Sequence, residues 1–336
     1  MTPDYREAPL IGGACVPAPD EFDPADAVGP NPVEVREHVI GAGDHGQRLD
    51  KLLVALAPEF SRSHLQSLVR DGLVGIDGKP FLISARRMRA GERVRVELRP
   101  TAESLAFRPQ PMPLPVVFED DVLLVIDKPV GLVVHPAPGH WSGTLLNGLL
   151  AHHGPAVGLP RAGIVHRLDK DTSGLMVVGK TLEAVTALTR AIAAREVKRG
   201  YVAVAHGEMA AGIRWVDAPI GRDPASRLRM AVLASGRVAQ TQVEPVAVRA
   251  GRTAVRCRLH TGRTHQIRVH LAHIGYPLVG DTLYGGPAHE ELPGQALHAA
   301  ALAFDHPVSG KHLEFRSKPP APFERAWRSV CSLDAL

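Results

Sequence analysis

Between Gly163 and Gly174 the chain reads Gly-Ile-Val-His166-Arg167-Leu168-Asp169-Lys170-Asp171-Thr-Ser-Gly. One acid, Asp169, lies among cations, with Arg167 shortly before it and Lys170 directly after. Neighbouring cations favour the ionised carboxyl, the state that a nucleophile or general base requires. The segment separates a stretch rich in Pro and Gly from the apolar run Leu175 to Val178. It is therefore expected to be an irregular loop leading into a strand, a common seat of active sites. A charged turn without chemistry has the same composition, because Asp, Ser and Gly all form turns.

Further candidates lie downstream. Tyr201 opens the strand-like run Tyr201-Val-Ala-Val-Ala, where its ring can either stack on a base or join the core. Arg263 and Arg268 lie in Thr261-Gly-Arg-Thr-His-Gln-Ile-Arg-Val-His270. There Arg268 flanks the helical stripe Ile267, Leu271 and Ile274, which lets its head reach a cleft. His260, His265, His270 and His273 invite a metal reading in a chain with 17 histidines. Those at 265, 270 and 273 project in different directions on one helix, unlike the i, i+4 pair of helical zinc sites, and no Cys or carboxylate pattern completes a set. No metal ligand is assigned, and His166 reads as a loop-positioning residue.

The elements that must carry these residues follow from periodicity. Strand-like runs are Val122 to Ile126, Leu175 to Val178, Tyr201 to Ala205 and Val255 to Leu259, with helices over Thr181 to Ala194 and Thr264 to Ile274. Strands outnumber helices without alternating with them, so the fold class is α+β with a mixed, mainly antiparallel sheet over residues 116–330. Ahead of it, Phe107 to Pro115 is rich in proline and reads as an extended linker.

Residues 46–106 form a separate small α/β module. Leu49, Leu52, Leu53 and Leu56 fall at helical spacing before Pro58. A second helix starts at Ser61 or Ser63, the latter in capping-box spacing with Gln66, and ends at Gly72. Asp77-Gly78 supplies a hairpin turn, and Val94, Val96 and Leu98 alternate as a strand. Residues 1–45 are acidic and rich in Pro, Gly and Ala, and read as a disordered arm.

The chain has 336 residues, 45% of them apolar and 22% charged, with a net charge of +4. Its apolar runs fall far short of the roughly 18 to 20 residues of a membrane helix. The start, Met-Thr-Pro-Asp, lacks the basic flank and apolar stretch of a secretory signal, so a cytoplasmic location is expected. Cys15, Cys257 and Cys331 are odd in number and scattered, which argues against a disulfide framework.

The small module resembles the S4 RNA-binding domain in Arg48-Leu-Asp-Lys-Leu-Leu, Ser61-Arg-Ser and Gly72-Leu-Val-Gly-Ile-Asp-Gly. The resemblance implies phosphate contacts from Arg48, Lys51, Arg62 and Arg70, with little base readout. From about Leu114 to Pro322 the chain resembles the RluA-type pseudouridine synthases. The motifs are Asp127-Lys-Pro-Val-Gly-Leu-Val-Val-His, His166-Arg-Leu-Asp169, Tyr201-Val-Ala-Val, Thr261-Gly-Arg-Thr-His-Gln-Ile-Arg268, Pro277-Leu-Val-Gly-Asp281-Thr-Leu-Tyr284-Gly-Gly and Gln295-Ala-Leu-His298-Ala.

That resemblance implies Asp169 as the catalytic aspartate, Arg167 as the residue that fills the space of a flipped-out base, Tyr201 as the stacking aromatic and Arg268 as the salt-bridge partner of Asp169. The family commonly has a non-glycine where this chain has Gly200, and many members carry an aromatic residue at Val243. Asp171 has no role in the motif.

The implied reaction breaks the C1′–N1 bond of uridine, turns the uracil and joins C5 to C1′. Glycosidases need two carboxylates because water must be activated; here the base is retained, so one carboxylate suffices, and no metal or redox cofactor is required. Attack at C1′ and glycal formation both remain open. The expected partner is RNA, with the S4 module pointing to large-subunit ribosomal RNA, and the protein is expected to be a monomer. A transfer-RNA enzyme of the same family is one alternative and a non-catalytic ribosome-assembly protein another. Against the second stands the joint presence of Asp169, Tyr201 and Arg268.

Overall fold

The structure is a computed structural model that describes residues 34–99, 106–137, 139–226 and 228–331. Two compact units divide the chain, Met1–Thr101 and Ala102–Leu336.

The first unit begins earlier than the sequence suggests. Strand β1 (Glu34–Val39) falls within the segment read as an arm. The unit continues with helices α1 (Leu49–Leu56) and α2 (Arg62–Arg70) and strands β2 (Val74–Ile76), β3 (Lys79–Pro80) and β4 (Arg93–Leu98). The sheet order is β1-β4-β2-β3, and β1 runs antiparallel to β4 from Glu34 opposite Leu98 to Val39 opposite Arg93. An edge strand held by main-chain pairing needs little apolar alternation, and none of β1's side chains is buried, so its sequence looked like a charged arm. Ile40, which follows it, is buried in the core. Residues 1–33 of the arm lie outside the described residues.

α1 buries Leu49, Leu52 and Leu53 against Leu65, Leu68 and Val69 of α2. Ser61 caps α2 by accepting from the His64 amide, so Ser63 and Gln66 form no capping box. Gln66 is drawn elsewhere: Asp50, fully buried, accepts hydrogen bonds from Arg48, Arg62 and Gln66 at 2.9 to 3.1 Å. Two of the four arginine and lysine residues expected to meet RNA thus also fix the helix pair, with 41% and 49% of their side-chain surface still exposed. Lys51 and Arg70 are exposed.

The second unit is built on a nine-stranded sheet among the described residues. Its elements are β5 (Val116–Glu119), β6 (Leu123–Lys128), α3 (Leu145–His152), β7 (Ser173–Gly179), α4 (Leu182–Ala193), β8 (Lys198–His206), β9 (Arg214–Asp217), β10 (Ile220–Arg222), β11 (Met230–Val232), β12 (Gln240–Arg249), β13 (Arg252–Leu259), α5 (Gln266–His273), β14 (Leu297–Asp305), β15 (His312–Arg316) and α6 (Ala321–Arg328). The order is β5-β6-β7-β14-β8-β13-β12-β9, with β15 beside β14. β7 and β14 pair in parallel and the other neighbours antiparallel, so the sheet is mixed and mainly antiparallel.

Strand alternation sends Leu124, Ile126, Met176 and Val178 to a core shared with α3 and α5. Leu123, Val125, Leu175 and Val177 go to another that includes Leu188 of α4. The proline-rich stretch read as a linker is fastened to this unit along α3: Gln110 donates its amide to the Asn147 carbonyl at 3.0 Å, and Asn147 donates to the Arg108 carbonyl at 2.9 Å.

Hydrogen bonds from Arg48, and then Arg62 and Gln66, hold Asp50 well below the usual carboxylate range against the opposing effect of burial. Its folded value is depressed, so its contribution to stability is present above the ordinary 3.8 and is lost as pH falls below it. Asp50→Asn should cost about 2 kcal/mol, the scale of hydrogen bonds to a charged group. Hydrogen exchange of the α1 and α2 amides measures this, with faster exchange in the variant expected at pH 7.

Candidate active site

The loop that carries Asp169 is pinned at both ends by glycines that no other residue could replace. Gly163 has φ +85°, and a Cβ there would lie 2.0 Å from the Gly179 carbonyl oxygen. Gly174, with φ +113°, would place one 2.3 Å from the Ala299 oxygen. Inside the loop, Leu168 is buried in the core and His166 Nε2 accepts from the Val177 amide at 3.1 Å. Burial, with a smaller push from Arg199, lowers the His166 pKa to about 3. A neutral ring that accepts a main-chain proton suits the positioning role read from the sequence.

Lys128, fully buried at the end of β6, holds the loop from below. Its ammonium donates to the carbonyls of Pro129, Leu132 and Lys170 at 2.9 to 3.0 Å. Lys170 follows Asp169, so this clamp sets the height of the carboxylate. Sequence reading quoted Lys128 within a motif but gave it no task.

The cation at Asp169 is not a sequence neighbour. Arg167 and Lys170 are exposed, and Arg268 from α5 donates to Asp169 Oδ2 through Nη1 at 3.1 Å. Arg268 also makes a two-pronged pair with Asp281, at 2.7 and 2.8 Å, and its guanidinium lies 4.9 Å from the centre of the Tyr284 ring. Burial opposes its charge, but hydrogen bonding to Asp281 and the nearby carboxylates raise its pKa.

The start of α5 is set by Gln266, which accepts from the Arg263 amide and the Thr261 hydroxyl and donates to the Gln240 carbonyl and Thr241. His265 just before it adopts a left-handed conformation with φ 55°. Its Nδ1 lies 2.8 Å from the Tyr284 hydroxyl, and its Nε2 lies 3.9 Å from Asp169 Oδ1. His270 bridges Thr241 and the Ala218 carbonyl inside the core. Among the described residues no three His, Cys, Asp or Glu side chains converge as a metal would require.

Asp169 stands between two recesses. One, of about 460 Å³, is lined by Arg167, Asp169, His265, Arg268 and Asp281. The other, of about 40 Å³, brings Tyr201 to the same carboxylate with Leu259, Ile267 and Leu297 around it. Tyr201 lies within β8, not at its start, and is 6% exposed. Burial first, and then the charge of Asp169, push its hydroxyl up to about 12, so the ring is a neutral phenol at neutral pH. The fold thus gathers Arg167, Asp169, Tyr201 and Arg268 as expected. It adds Lys128, His265, Asp281 and Tyr284; Asp281 is the N-cap of the 3-10 turn Thr282–Tyr284, and Tyr284 is its last residue.

Comparison with known proteins bears on this geometry. Residues 122–273 match the family RNA pseudouridylate synthase. Ribosomal large subunit pseudouridine synthase D of Neisseria meningitidis is 47% identical over 287 residues, covering 82% of this chain and 76% of that protein. The protein of the same name from Pseudomonas aeruginosa is 46% identical over 291 residues, covering 83% and 90%. The chain belongs to the RNA pseudouridylate synthase family.

Among solved structures, human RNA pseudouridylate synthase domain containing 1 superposes with a TM-score of 0.51 at 25% identity, over 66% of this chain and 92% of that one. This pseudouridylate synthase is therefore an enzyme that isomerises uridine in RNA. No described helix is long and apolar enough to cross a membrane.

Burial lowers the Lys128 pKa from 10.5 to about 8. Only the ammonium has a donor for each of the three carbonyls, so turnover should fall as pH rises through about 8. Because the folded value is depressed, the buried charge opposes folding below about pH 8. That penalty is relieved towards 10.5, so Lys128 does not cause a loss of stability in the same window. A pH–rate profile of the synthase beside a thermal melt separates the two, and Lys128→Met should lose 10- to 100-fold in turnover, the scale of a misplaced reacting group. Arg268→Lys, a point charge in place of a fork, cannot serve Asp281 and Asp169 together. It should lower both the melting temperature and the rate.

Proposed function

We propose that this enzyme converts uridines of large-subunit ribosomal RNA to pseudouridine with Asp169 as the catalytic carboxylate. One observation carries the assignment: Arg268 donates to Oδ2 of Asp169, while Oδ1 lies 3.9 Å from His265 Nε2, and Asp169 lines both recesses, one of which also contains Tyr201. Attack at C1′ and removal of the C2′ proton both call for such an oxygen, and the reaction balances without a cofactor. The C1′–N1 bond breaks, C5 joins C1′ and loses its proton, and N1 gains one.

A target uridine stacked in RNA must first leave the stack, at a cost of a few kcal/mol. Arg167, exposed at the rim of both recesses, is positioned to fill the gap and offset part of that cost. Tyr201 confines the detached ring by stacking. The first unit acts as an S4-type RNA-binding domain whose exposed cations Lys51 and Arg70 meet phosphates, while Arg48 and Arg62 do so around their bonds to Asp50. The names of the relatives support ribosomal RNA as the substrate. That substrate puts the enzyme in the cytoplasm, and we take it to act as a monomer.

Asp169→Asn should leave RNA affinity near normal and remove pseudouridine formation, read by chemical mapping of ribosomal RNA. Substantial residual formation would overturn the assignment. Lys51→Ala with Arg70→Ala should weaken RNA binding and flatten its dependence on salt by roughly 2 in log–log slope. These two residues are the better choice because changing Arg62 would also disturb Asp50.

A further inference from the structure

We infer that the face of the sheet opposite Asp169 carries a second RNA-binding site, a trough for a short single-stranded segment lying outside the target nucleotide. This inference rests on the RNA substrate proposed above. The cavity there, about 820 Å³, is larger than either recess at Asp169.

Its geometry comes from strand register. Trp215 of β9 pairs with Gln242 of β12, Gln242 with Arg258 of β13, Arg258 with Gly200 of β8, Gly200 with Ala301 of β14, and Ala301 with Arg316 of β15. Directly paired residues point to one face, so these six form a single row across six strands. At about 4.8 Å per strand the row is about 24 Å long. That length accommodates about four nucleotides, the small end of the single-strand site range.

In the middle of the row side chains are nearly missing. Gly200, a departure from the family pattern, and Ala301 make a low floor about two strands wide, with Arg258 on one side and Arg316 on the other. Tyr201, next along β8, borders both cavities, but strand alternation turns its side chain away from Gly200 into the core on the catalytic side, so the trough is built from the other face.

The charges favour a phosphate backbone. Arg258 and Lys318, both exposed, have no carboxylate partner among the described residues, and Arg316 pairs only with exposed Glu314. The two acids that line the cavity are matched locally: Glu244 lies opposite Arg256 in register, and Glu324 is 3.9 Å from Arg328. At the end of the row Trp215 is 59% exposed, with its ring centre 4.7 Å from that of His260. An exposed indole beside arginines on a sheet is a stacking platform for a base, and it tolerates any sequence because every base has a π-face.

An eight-residue oligoadenylate is the probe, since it contains no uridine to enter the catalytic recess. Its affinity for the full-length enzyme is read by fluorescence anisotropy over a range of salt. Arg258→Glu with Arg316→Glu should raise Kd at least tenfold and flatten the log–log salt slope by roughly 1.4, two single-strand contacts. Trp215→Ala, which leaves the charges intact, should weaken binding by about tenfold, the scale of one stacked base.

Gly200→Leu, which fills the floor, should weaken it as well. Affinity and slope within twofold of the parent in the charge-reversal and Trp215 variants would overturn the trough, as would loss of all oligoadenylate binding on changing Lys51 and Arg70 alone. Pseudouridine formation by the unaltered enzyme is measured separately. Its absence would sink the proposed reaction while leaving the anisotropy result to decide the trough.

Discussion

Arg268 is the point on which the active site turns. It is 7% exposed and lies between two carboxylates, one of which, Asp281, is almost fully buried. Bringing three charges together away from water is costly unless each polar atom finds a partner. The fork geometry of a guanidinium meets that demand. Two of its nitrogens satisfy Asp281 and the third reaches Asp169, while the Tyr284 ring covers a face of the group. Because Asp281 takes two of the donors, Asp169 receives one, at Oδ2, and Oδ1 is left without a bond from Arg268. A simple one-to-one pair would have tied up both oxygens. Asp281 thus determines how Asp169 is presented although it lies outside reach of the narrow recess.

Such a triad works only if its members arrive from fixed directions, and much of the surrounding structure supplies that rigidity. Gln266 staples the first turn of α5 to β12, so Arg268 starts from a defined place. Lys128 and the two glycines do the same for the loop. Positive φ recurs around the site, at Gly163 and Gly174 of the loop, Gly280 of the larger recess and His265, and the glycines adopt it without strain. At His265 the left-handed backbone carries a steric penalty, and the hydrogen bond to Tyr284 offsets it.

How much of this could be read from the chain depended on the range of the interactions. Asp169, its loop and the strand after it were legible because turn residues and an apolar run follow each other locally. The flanking cations Arg167 and Lys170 suggested the wrong electrostatic partner, since adjacency in sequence says little about where a long side chain ends. Arg268 lies 99 residues from Asp169, and only the family resemblance joined them. Helix α3 went unseen because its apolar positions are buried on nearly every side and leave no amphipathic period. Short strands such as β9, β10 and β11 hold three or four residues each, too few to show alternation. β1 was hidden because its pairing is main-chain and its side chains are charged.

Two recesses meet at Asp169, a larger one that also holds Lys170 and Asp281 and a narrow one that also holds Tyr201, and this fits a reaction in which the leaving group must return. A glycosidase admits water to the sugar carbon; a synthase that does so releases uracil and leaves an abasic site. The narrow recess beside Tyr201, about 40 Å³, is lined by Leu168, Leu259, Ile267 and Leu297 together with Thr172, Arg263, Gln266 and the charged groups around Asp169. The phenol there, with its pKa pushed up to about 12, stays neutral and is a poor nucleophile towards the sugar. On the proposed reaction, such a flat neutral ring guides a turning uracil without competing for C1′. Of the two flanking cations, Lys170 lines the larger recess and Arg167 lines both. On the proposed reaction the base never leaves and no water is activated, so one carboxylate serves where hydrolysis needs two.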